Sequence, residues 1–342
     1  MKDKTQKILI LGATGAMGKY LVPLLADAGY HVDAVALEKW PAPHPSITSI
    51  VGNMLDDRAF RSEILAKPYD AIVDFMIYNT SRLASLLPEM PRNTGHYIFL
   101  SSYRVYADAE HPIRETSPRL IDATDDVLLR NSDDYSIYKA RGENILRSFE
   151  RRNWTIVRPA ITYSLLRYQL VTLEAPNTVG RAFAGKPTVL PEQARNVQAT
   201  MSWAGDVARM IAGLVFNSRA FGETFTVSTA EHRTWGEIAE YYRDICGLQA
   251  IWADMEDYLK VLRSSRPPTG GDRWQLVCDR LYDRIIDNSK ILDATGLKQS
   301  ELKPLYDGLE YEIGRCPRDL PWPENPVMDE FVAARGRTPG LA

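Results

Sequence analysis

The chain has 342 residues, with 41 Lys and Arg against 44 Asp and Glu and no long run of either sign, which argues against a nucleic-acid footprint or a polybasic membrane patch. Hydrophobic residues at 45% and charged residues at 25% exclude a disordered or fibrous protein, and the length allows one large core or two smaller ones. Three scattered cysteines, Cys246, Cys278 and Cys316, have neither metal-ligand nor disulfide spacing, and the apolar run KILILG is too short for a membrane span or a signal-peptide core, so a soluble cytoplasmic protein is expected.

KILILG (7–12) reads as a buried strand and runs directly into ATGAMGKYL, the start of an amphipathic helix over 16–28. Gly12, Gly15 and Gly18 lie between the two. Glycines there allow a tight turn, close approach of backbone to a pyrophosphate, and close packing of helix on strand, while the helix amino end offers free N–H groups to phosphate. Strands follow at 31–37 and 46–51, then a helix at 57–66, a strand at 71–76 and a helix at 80–89. A strand at 96–101, a helix at 135–151 and a strand at 154–159 complete the alternation. This order predicts a doubly wound α/β fold with a parallel sheet covered by helices.

After Pro159 the rhythm changes. A loop-rich stretch (160–198) precedes a helix beginning near Ala204, a strand at 223–228 and a helix from Thr234 to about Ile245. Further helices are predicted at 254–264, 289–294 and 302–314. The expected division is a dinucleotide-binding unit (1–165, with a return segment at about 198–230), a smaller α+β substrate-binding unit (166–197 and 231–315), and a Pro-rich tail (316–342) that wraps the surface or frays.

DYSIYKARGE (134–143) contains two tyrosines and a lysine at the start of the predicted helix. Four residues apart, Tyr135 and Lys139 share a helix face; Tyr138 does not share it and reads as packing or a cofactor neighbour. A phenol with a pKa near ~10 is a poor base at neutral pH, and a nearby ammonium favours its ionised form. Ser102, in SSYRVY at the end of the fifth strand, lies where sheet-edge ligands bind and could hydrogen-bond a reacting oxygen. The competing reading is an exposed Tyr–Lys pair and a serine pair that merely ends a strand.

Taken together, G-x-x-G-x-x-G, SSYRVY and the Tyr135/Lys139 pair resemble the extended short-chain dehydrogenase/reductase family, in the branch of NAD-dependent epimerases and dehydratases acting on nucleotide sugars. The resemblance runs from about Lys7 to about Ile313 and includes FGETFTVS and DNSKILDATGL. It implies a Rossmann-type fold and a dinucleotide held by Gly12, Thr14, Gly15, Ala16, Met17 and Gly18. Asn53 and Met54 would sit near the adenine and Phe75 and Met76 near the ribose-phosphate side, with Ser101, Tyr135, Lys139 and Pro159 completing the cofactor site. At the end of the second strand, Ala36 and Leu37 precede Glu38, which could reach ribose hydroxyls, and Lys39, which could meet a phosphate; NAD is favoured over NADP.

By the same resemblance Ser102, Tyr135 and Lys139 are the catalytic set. The departures from the family pattern bear on the reaction. Where sugar dehydratases carry an Asp-Glu pair after the strand-end hydroxyl residue, this chain has Tyr103 and Arg104, so 4,6-dehydration is not expected. Ile161 replaces an asparagine that often meets the sugar, and the arginine that often meets the diphosphate is absent, with Arg195 four residues away. Arg280 and Arg284 could form a replacement clamp, with Tyr103 and Arg104 also near substrate.

The implied activity is hydride transfer between a sugar hydroxyl or ketone carbon of a nucleotide sugar and a nicotinamide cofactor, as a dehydrogenase or ketoreductase. Epimerisation through a transient keto-sugar is the alternative. A reading of another class is a non-catalytic dinucleotide-binding sensor or RNA-associated protein, which the retained tyrosine and lysine and the balanced charge oppose. The five histidines show no metal-ligand spacing, so no metal is expected. The resemblance also implies a homodimer formed through two helices of each subunit, one of them carrying Tyr135.

Overall fold

Runs of aliphatic and β-branched residues buried on both faces form a sheet in which every pairing is parallel, the arrangement expected when helices cover both sides. The computed structural model describes residues 5–40, 44–54, 60–262 and 270–336. The sheet contains β1 (Lys7–Leu11), β2 (His31–Ala36), β3 (Ile47–Val51), β4 (Tyr69–Asp74), β5 (Thr94–Leu100), β6 (Trp154–Pro159) and a returning strand, Glu223–Val227. Their order is returning strand, β6, β5, β4, β1, β2, β3. The chain thus leaves β1 towards β3 and comes back on its other side at β4, a reversal that opens a crevice at the carboxyl ends of β1 and β4.

Two cores flank this sheet. On one side lie α1 (Gly18–Asp27) and the helix Ala204–Leu214; on the other lie the helices Thr80–Leu86 and Tyr135–Arg147. The strand expected at 71–76 begins and ends two residues earlier, so Phe75 and Met76 follow β4 at the sheet's carboxyl edge. Of the helix expected at 57–66, residues 60–65 form a π-helical segment, and 57–59 lie outside the described residues. The helix expected at 254–264 is Met255–Val261, and residues 263–264 also lie outside the described residues.

A third core gathers residues beyond the sheet. The stretch 160–198, expected to be loop-rich, contributes short strands at Ile161–Tyr163 and Thr188–Pro191 and a helix at Val179–Phe183. Thr188–Pro191 pairs in parallel with Ala250–Ala253. Residues 326–336 form a helix rather than a fraying tail: Pro326 starts it, where a missing N–H costs nothing, and Met328 is buried beside Val327, Phe331 and Val332. Asp329 on this helix pairs with Arg181 at 2.8 Å and Lys186 at 2.7 Å. Among the described residues no helix is long and apolar enough to cross a membrane.

Candidate active site

The amino end of the crevice is made of backbone. The Gly12 and Ala13 N–H groups both donate to the Val35 carbonyl at 3.0 Å, fixing the turn to β2, and Gly12 has φ of 79°, which suits glycine. A Cβ at Gly18 would lie 2.3 Å from the Ala13 carbonyl oxygen, so only glycine lets α1 start this close to the strand. Among the described residues no side chain caps the amino end of α1; the Lys19 and Tyr20 amides are held by the Gly15 and Met17 carbonyls at 3.2 and 3.1 Å, so what α1 offers an anion is the positive end of its dipole.

A cavity of about 690 Å³ begins at this turn and runs along the carboxyl edge of the sheet. Gly12, Thr14, Gly15, Ala16, Met17 and Gly18 line one end, with Glu38 at the end of β2 and Asn53 and Met54 after β3. Phe75 and Met76 lie along the middle, and Pro159 with Ser102, Tyr103, Arg104, Tyr135 and Arg280 forms the far end. A glycine-built turn at a helix amino end, a carboxylate just after β2 and apolar walls fit a dinucleotide.

At the far end, Asp134 caps the helix that begins at Tyr135, accepting hydrogen bonds from the Ser136 amide at 2.9 Å and the Ser136 hydroxyl at 2.6 Å. This cap sets Tyr135 in the first turn, half-buried against the cavity. Ser102 is buried, and its Oγ accepts from the Arg104 amide at 3.2 Å. Burial raises the Tyr135 pKa, while the charges of Arg104 and Arg167 and a hydrogen bond with Ser102 pull it back. The Arg104 guanidinium lies 5.4 Å from the Tyr135 ring centre.

Lys139 is wholly buried behind the cavity wall. Its Nζ donates to the Leu100 carbonyl at 2.6 Å and the Met76 carbonyl at 3.3 Å and lies 5.7 Å from the Tyr135 ring centre. Desolvation brings its pKa down to about 8, against the opposing charges of Asp74 and Glu143. Asp74 is buried and accepts from the Tyr97 hydroxyl at 2.8 Å, the Tyr78 hydroxyl at 3.2 Å and the Met76 amide at 3.0 Å; burial nevertheless raises its pKa.

A charge cluster backs the opposite wall. Asp279, completely buried, pairs with Arg280, with Arg284 at 3.2 Å and with Arg104 at 3.3 Å. Burial alone would raise its pKa, but the three guanidinium groups hold the carboxyl below its usual range. Asp279 and Arg280 sit on a π-helical segment, Leu276–Arg280. Arg280 also donates to the Tyr103 hydroxyl at 2.6 Å and, through Nε, to the Val171 carbonyl at 2.7 Å. Val171 has φ of 55°, a backbone state that β-branched residues rarely adopt.

Four of the residues assigned to the site from the sequence, Lys39, Ser101, Lys139 and Arg284, are not among those lining the cavity. Lys39 is exposed beside it. The Ser101 hydroxyl donates instead to Glu143 at 2.6 Å, within a buried cage that Arg158 closes at 2.6 Å. Lys139 lies behind the wall, and Arg284 is held between Asp279 and the Tyr106 carbonyl at 3.2 Å. Arg195 is exposed, its guanidinium 4.7 Å from the Trp252 ring centre. Tyr138 packs in the core with a buried hydroxyl that has no hydrogen-bond partner among the described residues. The cavity also holds residues that no motif indicated: Thr162, Arg167, Gln169, Glu174 and Gln275. They come from 160–198 and 270–280, where Thr162 lies on the strand Ile161–Tyr163 and Gln275 ends the helix Gly270–Gln275, and no motif marks them.

The chain matches the model of the NAD-dependent epimerase/dehydratase family over residues 8–223. No match was found among the curated proteins. Among solved structures, it is similar to an epimerase from Methanothermobacter thermautotrophicus (15% identity, 98% of this chain and 95% of that one covered, TM-score 0.66). It is similar also to UDP-glucuronic acid 4-epimerase from Bacillus cereus in complex with UDP-glucuronic acid and NAD (16%, 90% and 98%, TM-score 0.64). A third similar structure is dTDP-glucose 4,6-dehydratase from Bacillus anthracis in complex with NAD (17%, 91% and 96%, TM-score 0.66). With the family model spanning most of the parallel sheet and these structures sharing its architecture, the chain belongs to the NAD-dependent epimerase/dehydratase family of extended short-chain dehydrogenases/reductases.

Proposed function

We propose that this protein is a nucleotide-sugar oxidoreductase that interconverts a hydroxyl and a ketone on the sugar. The observation that carries the reading is that Tyr135 and Ser102 line the same cavity as the glycine turn, so a dinucleotide held at one end and a sugar at the other would meet there. A bound nicotinamide would supply the redox chemistry. Tyr135 Oη takes the proton from the hydroxyl being oxidised and returns it in the reverse direction, and the Ser102 hydroxyl holds the same oxygen. Lys139, fixed by two backbone carbonyls, provides a positive charge beneath the phenol. Glu38 in the cavity and Lys39 outside it favour NAD over NADP.

Epimerisation is the second reading. Tyr103 is bulky, but its hydroxyl is held by Arg280 and its ring lies 5.1 Å from the Arg284 guanidinium, which draws it against the wall and leaves space for a keto-sugar to turn. Water elimination is not part of either reading, because Tyr103 and Arg104 supply no carboxylic acid or carboxylate beside Ser102. The test is to denature the purified protein, identify any released dinucleotide by mass spectrometry, and then follow nicotinamide absorbance with uridine-diphosphate sugars. Retained NAD with a sugar epimer as product supports epimerisation. Stoichiometric NADH formation supports dehydrogenation, and dinucleotide binding with no exchange on any sugar overturns the oxidoreductase reading in favour of a sensor.

A further inference from the structure

Asp74 ends β4 at the carboxyl edge of the sheet and is 1% exposed. Among the described residues every donor to its carboxylate is neutral: the Tyr97 hydroxyl at 2.8 Å, the Tyr78 hydroxyl at 3.2 Å and the Met76 amide at 3.0 Å. A carboxylate in such a place is costly unless an opposite charge is near. Lys139 presents the same problem with the opposite sign. It is 0% exposed, and its Nζ is held only by two carbonyls, those of Leu100 and Met76, at 2.6 and 3.3 Å.

Met76 joins the two. Its amide donates to Asp74 and its carbonyl accepts from Lys139, so the backbone of one residue separates the charges. The other charges around Lys139 are committed elsewhere. Glu143, one turn further along the same helix, is engaged by Arg158 at 2.6 and 2.7 Å, by Arg119 at 3.3 Å and by Arg147 at 3.7 Å. Arg82 lies 5.9 Å from the Tyr78 ring centre and donates to the Met54 carbonyl at 2.6 Å. The rings of Tyr135, Tyr138 and Phe99, at 5.7, 5.6 and 5.1 Å from Nζ, are neutral while the phenols keep their protons. Asp74 is thus the buried carboxylate near Lys139 that no guanidinium balances among the described residues. Burial brings the Lys139 pKa down to about 8, and Asp74, ahead of Glu143, is the charge that opposes this.

Building on the oxidoreductase reading, in which Lys139 supplies the charge beneath Tyr135, we infer that Asp74 is its positioning residue: through the Met76 backbone and by its own charge, Asp74 keeps the Lys139 ammonium in place and protonated. A direct pair would hold the ammonium against the carboxylate. With Met76 between them, Lys139 keeps its attraction to Asp74 and stays close to the phenol. Loss of the Asp74 charge leaves a desolvated ammonium in a site that favours its neutral form, and a neutral amine no longer favours the phenolate of Tyr135.

The test is Asp74→Asn, close to the native side chain in size, in the full chain. Lys139 is followed by NMR with carbon-13 at the lysine Cε, its signal identified by its loss in Lys139→Met. The expected result is that Lys139 titrates at lower pH in Asp74→Asn than in the wild type. On the UDP-sugar that the wild type converts, kcat falls by about tenfold or more, while KM and the dinucleotide dissociation constant change by less than about threefold. Asp74→Glu, which restores the charge, recovers part of kcat. A Lys139 titration that does not move, or an unchanged kcat, overturns the inference. Removing both charges leaves neither unpaired, so Asp74→Asn combined with Lys139→Met folds more stably than Asp74→Asn alone, even where that variant is unfolded; additive losses of stability overturn the inference. If the wild type converts no UDP-sugar, the oxidoreductase reading falls, and the Lys139 titration by itself still upholds or overturns the pairing with Asp74.

Discussion

The two ends of the cavity are built from different materials. At the glycine turn the surface is backbone: amides, carbonyls and a helix start, set by positions where a Cβ would collide. At the far end the lining is side-chain charge from Arg104, Arg167 and Arg280, which lie far apart in sequence, with the buried Asp279 behind Arg104 and Arg280. A site made of backbone depends on local conformation and tolerates changes in the side chains around it. A site made of buried charges is coupled across the fold, so each of its members affects the others.

That contrast can be tested from its strongest point. Tyr135→Phe, which keeps the ring and removes the proton, is expected to lower turnover by about 10²–10⁴-fold with dinucleotide affinity near wild type, as steady-state kinetics and calorimetry would show. Wild-type turnover in this variant would exclude Tyr135 as the proton carrier. Asp279→Ala leaves three guanidinium groups without their shared partner and should destabilise the fold by roughly 3–5 kcal/mol in a denaturant melt. A loss near zero would mean that the cluster is already solvated.

Gly18→Ala tests the backbone end. Its methyl would meet the Ala13 carbonyl, and overpacking of this kind costs about 1–3 kcal/mol, so the dinucleotide dissociation constant should rise roughly tenfold while sugar binding changes less. Equal losses for both ligands would show that the two ends are not separable. The smallest expected effect is in pH dependence. In its proposed role as the base of the oxidation, Tyr135 makes turnover rise with pH as the phenol ionises; Arg104→Met removes a charge that lowers the phenol's pKa and should move this rising limb upward in a pH profile of turnover. A rising limb that does not move would show that Arg104 is screened from Tyr135.

The parallel sheet was legible because its strands are buried on both faces and separated by amphipathic helices, a pattern that survives errors of two residues at an edge such as that of β4. The glycine turn was legible for the same kind of reason: the spacing of Gly12, Gly15 and Gly18 is itself the backbone constraint. The helical spacing of Tyr135 and Lys139 was visible too, but not that the ammonium would be buried against the Leu100 and Met76 carbonyls, behind the wall rather than in the cavity. Nor was it visible that Ser101 and Arg284 would have Glu143 and Asp279 as partners.

The sequence by itself determined the order of strands and helices, the turn that opens the crevice and the family to which the chain belongs, because each depends on residues close together in the chain. Only the tertiary structure decided which charges face the reacting end. Arg104, Arg167 and Arg280 come from separate segments that the fold brings to one cavity, with Asp279 packed behind Arg104 and Arg280. Electrostatic pairing acts through space and leaves no periodicity along the chain.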